Sequence, residues 1–348
     1  MRLYERGGWA NMPEIMSQPE TFILCLGGRG TGKTYGGLKH VLSNGICFLY
    51  LRRTAAEAEL VSKPEFSPII KVGADLGMRL TSAAISKYAT GVYETDNDGK
   101  PVGLPIGYIM GLSTMASARS FDASRVKVII YDEAIPERHQ RQIAHEDDAM
   151  LNMYETINRN RELAGEDPVK CVILANANDL EAPVLQALHA VHYLDNMRRK
   201  GYNEKHIKAL GLCIVLLNDS PVSANKSETA LYKLATYGAG NDFADMSLKN
   251  SFARDNYEHV QPRPLKEFRP LAAIGSICLY KHKSDGTYYV SETIAGDPER
   301  YDNTISERVR FKRNYLKAWQ AYFDKRITFE SAPAKVFFKA VMMENLGS

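Results

Sequence analysis

The sequence predicts an α/β protein built on a mostly parallel sheet, followed by a smaller α+β domain. Two patterns carry that expectation. Short β-branched apolar runs alternate with helical periodicity through the first two thirds of the chain, the grammar of a parallel sheet covered on both faces. From about residue 257 the order changes to consecutive strands and then an amphipathic helical stretch, which points to a separate unit. The length agrees: 348 residues make two or three domains at roughly 150 residues each.

Strands are expected at 21–26, 46–51, 126–131, 170–175 and 211–217, with helices after the first, third and fourth. Between the second and third, residues 87–112 read as a hairpin insertion turning at Asp96-Asn97-Asp98-Gly99. Asn218-Asp219-Ser220-Pro221 then opens a polar stretch running past Gly238-Ala239-Gly240-Asn241, read as a linker. Further strands at 271–280 and 287–294 are joined through Ser284-Asp285-Gly286. A long helix follows, with Ile305, Val309, Leu316, Trp319 and Phe323 on one side. The expected division is 1–218, a linker domain at 219–255, and 256–348.

Composition narrows the class. Hydrophobic residues make up 45% and charged residues 24%, the balance of a folded chain rather than a disordered or fibrous one. No window approaches the eighteen or so apolar residues of a membrane helix, and the N-terminus lacks the apolar core of a signal peptide. Five scattered cysteines without a Cys-x-x-Cys pair read as reduced core residues in a cytoplasmic protein. No histidine spacing fits zinc: His139 and His145 are six apart, and His189 and His192 read as helix surface. The net charge of +3 is unevenly spread. Residues 304–348 hold nine Lys or Arg against four Asp or Glu, which suits either a polyanion partner or a solvated face.

Chemistry concentrates in Gly27-Gly28-Arg29-Gly30-Thr31-Gly32-Lys33-Thr34, which fits the phosphate-loop pattern Gly-x-x-x-x-Gly-Lys-[Ser/Thr] between an expected strand and helix. Chance supplies roughly 0.01 such matches in a chain of this length. The glycines let successive backbone N–H groups face phosphate. Lys33 is then expected on the β- and γ-phosphates of ATP, and the Thr34 hydroxyl on Mg²⁺. The apolar run 126–131 ends in Asp132-Glu133, about ninety residues on. Asp132 is the expected partner of Mg²⁺ through water, and Glu133 the residue that polarises attacking water, which a small-molecule kinase does not need. Asn176, ending the fourth strand, either senses the nucleotide or begins a turn. Arg29 either touches phosphate or pairs with a nearby carboxylate. Arg119 and Arg159 cannot be placed by spacing.

These segments resemble the DNA-packaging ATPases of small tailed phages of the phi29 type. The resemblance runs through the loop as far as Tyr35, Leu49-Tyr50-Leu51-Arg52-Arg53, Ile130-Tyr131-Asp132-Glu133, Asn158-Arg159-Asn160-Arg161-Glu162, Ala175-Asn176-Ala177 and Asp245-Met246-Ser247-Leu248-Lys249-Asn250. It implies a P-loop ATPase domain of the additional-strand, catalytic-glutamate class, a linker, and a C-terminal domain of nuclease-like (RNase H-like) fold. It also implies a pentameric homo-oligomeric ring, docked through a packaging RNA on the portal of an empty capsid in the host cytoplasm, driving double-stranded DNA inward. By position, Arg159 matches an arginine finger reaching a neighbouring subunit, and Arg119 a basic residue acting across the same interface. Ala55 departs from the pattern, standing where relatives carry another basic residue.

Metal-dependent cleavage needs three or four converging carboxylates, and the 271–280 strand has none, leaving Glu292 and Asp297. The C-terminal domain is therefore expected to bind nucleic acid without cutting it. If 149–163 is one helix, Met150, Met153, Tyr154 and Ile157 share its packed face and Arg159 points away from it. On the residues alone two other readings stay open: another oligomeric nucleic-acid ATPase, such as a helicase or loader, and a nucleotide-gated assembly protein.

Overall fold

The computed structural model describes residues 1–118, 121–137, 140, 143–237 and 242–344. It divides into two compact units, 1–252 and 253–348. Of the stretch 219–255, expected as a linker domain, residues 219–252 fall within the first unit and 253–255 within the second.

The first unit opens with α1 (Met12–Met16), β1 (Phe22–Gly27) and α2 (Lys33–Ser43), then β2 (Phe48–Arg52), α3 (Ala55–Ser62) and α4 (Pro68–Asp75). Next come β3 (Leu80–Ala84), β4 (Ala89–Thr95), β5 (Pro101–Gly111), β6 (Val128–Asp132) and α5 (Glu146–Asn158). Beyond β7 (Lys170–Ala175) lie α6 (Pro183–Ala187), α7 (Val191–Lys200), β8 (Glu204–Ile207) and β9 (Leu212–Leu217). Three short helices, α8 (Pro221–Lys226), α9 (Ala230–Thr236) and α10 (Asp242–Lys249), complete it.

The nine strands form one sheet in the order β3-β4-β5-β2-β6-β7-β1-β9-β8. The six from β5 to β9 in that order run parallel, while β3 and β4 extend one edge and β8 the other in antiparallel fashion. The central strands are buried along their whole length, which is why their sequences are continuous apolar runs rather than alternating ones. The hairpin read as an insertion is part of this sheet. It turns where Asp96 Oδ1 accepts from the N–H groups of Asp98 and Lys100, and β5 then pairs parallel with β2. Thr54 caps α3 in a reciprocal pair with Glu57, a Thr-x-x-Glu signature that announces this helix in the sequence.

Helix α5 is shorter than the expected 149–163. It stops at Asn158, and Arg159 takes φ 50° and ψ −136°, which no helix continues. The Asn158 amide side chain bonds both Glu162 and the Val169 N–H, fastening the exit toward β7. The expected inner face is buried at Met150, Met153 and Ile157, and the Tyr154 ring lies 4.6 Å from that of Phe22.

The second unit contains β10 (Phe268–Ile274), β11 (Ile277–His282), β12 (Tyr288–Ser291) and β13 (Glu299–Tyr301). Helices α11 (Ile305–Asn314) and α12 (Leu316–Phe323), strand β14 (Ile327–Phe329) and α13 (Ala332–Met343) follow. The mixed sheet has the order β13-β10-β11-β12-β14. Two expectations are corrected here. Residues 271–280 span a hairpin, because Gly275 at φ 51° reverses the chain between β10 and β11. The 305–323 helix breaks at Tyr315, which rotates the second half. Val309, Phe311, Ala318 and Ala321 are the buried positions, whereas Ile305, Leu316 and Phe323 are exposed.

Candidate active site

Four neighbouring strands deliver the site. In the spatial order β2-β6-β7-β1, their C-terminal ends carry Arg52, Asp132, the Asn176 that follows β7, and Gly27. Ligands of open parallel sheets collect at that edge. Here the edge borders a cavity of about 780 Å³, lined by residues 29–36 of the loop and by Asp132, Glu133 and Asn176.

The loop between β1 and α2 bends through Gly30 at φ 62° and Gly32 at φ 89°, conformations that penalise any Cβ. Gly28 is constrained differently: a Cβ there would collide with the Ser247 carbonyl of α10. Inside the turn, the Thr31 hydroxyl donates to the Gly28 carbonyl at 3.1 Å. The buried Lys33 ammonium donates to the carbonyls of Gly27 (2.8 Å) and Gly28 (3.0 Å) and to Asn176 Oδ1 (3.1 Å). Burial pushes its pKa down to about 8. A cation in so dry a place gains more from an anionic ligand than one in water does.

The Thr34 hydroxyl donates to the Asp132 carboxylate, 2.9 Å from Oδ2 and 3.0 Å from Oδ1. A hydroxyl and a carboxylate oxygen brought together at a phosphate loop are the hard donors Mg²⁺ takes, so the residues present fit that ion. Asp132 is held from two further sides. The Tyr50 phenol donates to Oδ2 at 2.7 Å, and Arg52 Nη1 lies 3.6 Å from the same oxygen. Burial first, then the Asp132 charge, push the Tyr50 phenol far above its ordinary value, so it stays a donor.

Glu133 sits one residue past the strand end at φ 52°. Its side chain is 62% exposed, and its carboxylate pairs with Arg52 Nη2. The glutamate therefore borders the cavity while tied to a neighbouring strand. Sequence reasoning had Arg52 only as part of a resemblance, and Tyr50 likewise. Their contribution arises because β2 lies beside β6, an adjacency no local pattern encodes.

The remaining expected residues divide. Asn176 meets Lys33 directly. Arg29 pairs with Glu137, lies 5.4 Å from the centre of the Phe243 ring, and its carbonyl accepts from Lys226. Of its two sequence readings, this arrangement is the carboxylate pairing. Arg159 is exposed, donates to the Phe121 carbonyl at 3.0 Å, and is absent from the cavity wall. Arg119 and His139 lie outside the described residues, as does 238–241. Trp9, Glu5, Tyr35 and Lys39 line the outer cavity, and sequence reasoning missed all four as site residues. Trp9 packs against the turn at Gly32 and is 48% exposed. An aromatic upstream of a phosphate loop was the only signal available.

A phosphate loop alone binds nucleotide, and a carboxylate that can reach water makes a hydrolase of it; by fold and site this is an ATPase of the P-loop class. The chain belongs to the podovirus DNA encapsidation protein (Gp16) family, which it matches over residues 5–300. Among solved structures it is similar to the phage phi28 gp11 DNA-packaging motor, with 19% identity, TM-score 0.64, and coverage of 99% of this chain and 100% of that one. It is also similar to the bacteriophage phi29 genome-packaging motor assembly, at 18% identity and TM-score 0.63, covering 97% and 99% of the two chains. At such identities the likeness shows the fold. No curated protein sequence matches.

Proposed function

We propose that this protein is an ATP-hydrolysing motor that translocates double-stranded viral DNA into a preformed capsid through its portal vertex. The observation that carries this reading is the Thr34–Asp132–Glu133 constellation at a phosphate loop, within a chain of the DNA encapsidation family. ATP would place its phosphates on the loop, exchanging the carbonyl partners of Lys33 for phosphate oxygens, with the purine against Trp9. Mg²⁺, held by Thr34 and by Asp132 through water, would neutralise charge on the β- and γ-phosphates. Glu133 would leave Arg52 to orient and polarise water, while Tyr50 and Arg52 hold the Asp132 side chain in place.

In the same proposal the subunits form a ring, a pentamer by resemblance, docked on the procapsid in the host cytoplasm with a packaging RNA. Arg159, exposed and outside its own cavity, would complete a neighbour's site, and Arg119 would act across the same interface. Residues 219–252 would couple the nucleotide to movement, since Ser247, Asn250 and Lys226 all touch the loop or the strand leading into it. The second unit would be nuclease-like in shape without cleaving. Neither β10 nor β11 carries a carboxylate, and Glu292 and Glu330 accept hydrogen bonds from Ser331 and Ser291.

The test is Mg²⁺-dependent ATP hydrolysis with duplex and single-stranded DNA compared. Stimulation by duplex is expected. Stimulation by single strands alone would favour a helicase or loader.

A further inference from the structure

Far from the nucleotide, at the opposite end of β1, three metal-ligating side chains meet. Glu20 precedes β1, His206 is on the edge strand β8, and Cys213 is its directly opposite partner on β9. One ligand atom from each lies within 4.8 Å of the others, the one such group of three among the described residues. His206 Nδ1 is 2.8 Å from Glu20 Oε1, and His206 Nε2 is 2.6 Å from Glu204 Oε1. Glu20 is 7% exposed, and its second oxygen, Oε2, is buried with no hydrogen-bond partner. An unsatisfied buried carboxylate oxygen costs stability unless something is there to meet it.

We propose that Glu20, His206 and Cys213 bind a divalent transition-metal ion of the zinc class, with His206 ligating through Nδ1 and water in the fourth position. The donor set selects the metal. A thiolate and an imidazole suit zinc and exclude magnesium or calcium as the preferred ion, and three protein ligands with one open position are a common zinc arrangement. Glu204 occupies the place of the outer carboxylate that fixes a ligating histidine: accepting from Nε2–H leaves the Nδ1 lone pair free to bind. Two anionic ligands and a dication leave the buried centre neutral.

The charges around it are mixed. The Met1 amine lies 2.7 Å from Glu204 Oε2, and the Lys170 ammonium rests on the Met16 and Gln18 carbonyls, so the second carboxylate offsets nearby positive charge. Burial pushes the Cys213 thiol up to about 12; coordination reverses that, and one proton leaves the sulfur for solvent as the metal–sulfur bond forms. The competing arrangement is an imidazolium bridging Glu20 and Glu204. It leaves the Glu20 Oε2 orphan and the adjoining thiol unexplained. A bound ion would pin β8 and β9 to the segment that leads into the phosphate-loop strand.

The full-length protein, stripped of metal by chelator, is titrated with Co²⁺ as an absorbing probe. The expected result is one equivalent bound with a thiolate-to-metal charge-transfer band, displaced by Zn²⁺. The oxygen donors of Thr34 and Asp132 cannot give that band. Cys213→Ala and, as a second variant on the half-exposed edge strand, His206→Gln should abolish it. Cys25→Ser should leave it, and Glu204→Gln should weaken binding about 10- to 100-fold. Absence of the band in the wild-type protein, or its survival in folded Cys213→Ala or His206→Gln, overturns the proposal.

Discussion

In the proposed mechanism turnover rests on Glu133, whose carboxylate pairs with the Arg52 guanidinium in the structure. Replacing it with glutamine keeps the shape but removes the charge that would polarise water in that mechanism. Glu133→Gln should therefore retain ATP binding and lose about 10²-fold or more in turnover, as single-turnover hydrolysis with labelled ATP would show. Near-normal hydrolysis would put the catalytic carboxylate elsewhere. On the cavity's outer wall, Trp9→Ala should weaken ATP binding about tenfold, on the order of one lost base–aromatic stack. Titrating nucleotide against Trp9 fluorescence in a Trp319→Phe background reads the contact directly. Unchanged fluorescence and affinity would place the base elsewhere.

Arg159 also belongs to this scale. It lies one residue past α5, exposed, with its guanidinium on the Phe121 carbonyl. Arg159→Ala should fold, bind ATP and lose DNA-stimulated hydrolysis by on the order of 10³-fold. Mixed with Glu133→Gln, it should recover part of the activity, because a subunit with intact Glu133 receives the arginine of its neighbour. A mixture that stays inactive although mixed rings form would exclude a role in trans.

At the scale of elements, an ion pair fastens α5 to the sheet. Arg53, just past β2, donates twice to Glu146 in the first turn of α5, at 2.7 and 2.8 Å, and both side chains are 1% exposed. Arg53→Met strands a buried carboxylate and should cost about 3–5 kcal/mol in urea unfolding. The double variant with Glu146→Leu should regain much of that loss. A single-variant cost below about 1 kcal/mol would show that the pair contributes little. Arg161 works similarly beyond the helix, donating to the carbonyls of Ala123, Ser124 and Val126.

These ties explain what was legible in the sequence. The phosphate loop and Asp132-Glu133 are contiguous motifs at strand ends, so their positions follow from local pattern. Arg52 and Tyr50 act through the β2–β6 adjacency, and the Glu20–His206–Cys213 group through cross-strand pairing, neither of which spacing records. The 219–252 segment reads as linker because its helices are short, six to eight residues each. It meets the loop and the strand before it through the Ser247 carbonyl, Lys226, Asn250 and the Phe243 ring, with Ala244 and Met246 buried. Tyr315 breaks the 305–323 helix without a proline or glycine to announce it.

For the whole molecule, the basic C-terminal stretch is less free than its charge suggests. Lys335 is buried on the Asp255 and Glu258 carbonyls, Arg308 pairs with Glu344, and Arg310 with Glu299 and Glu307. Net charge therefore says less about a polyanion partner than the ATPase unit and the family do. The most direct measurement is packaging itself. Purified empty capsids bearing their portal, double-stranded DNA, ATP and this protein are combined, and the DNA that survives added nuclease is weighed. Protected DNA should appear with the wild-type protein, and none should appear without ATP or with Glu133→Gln. No protected DNA from a protein whose ATP hydrolysis is strongly stimulated by another polymer would contradict the motor.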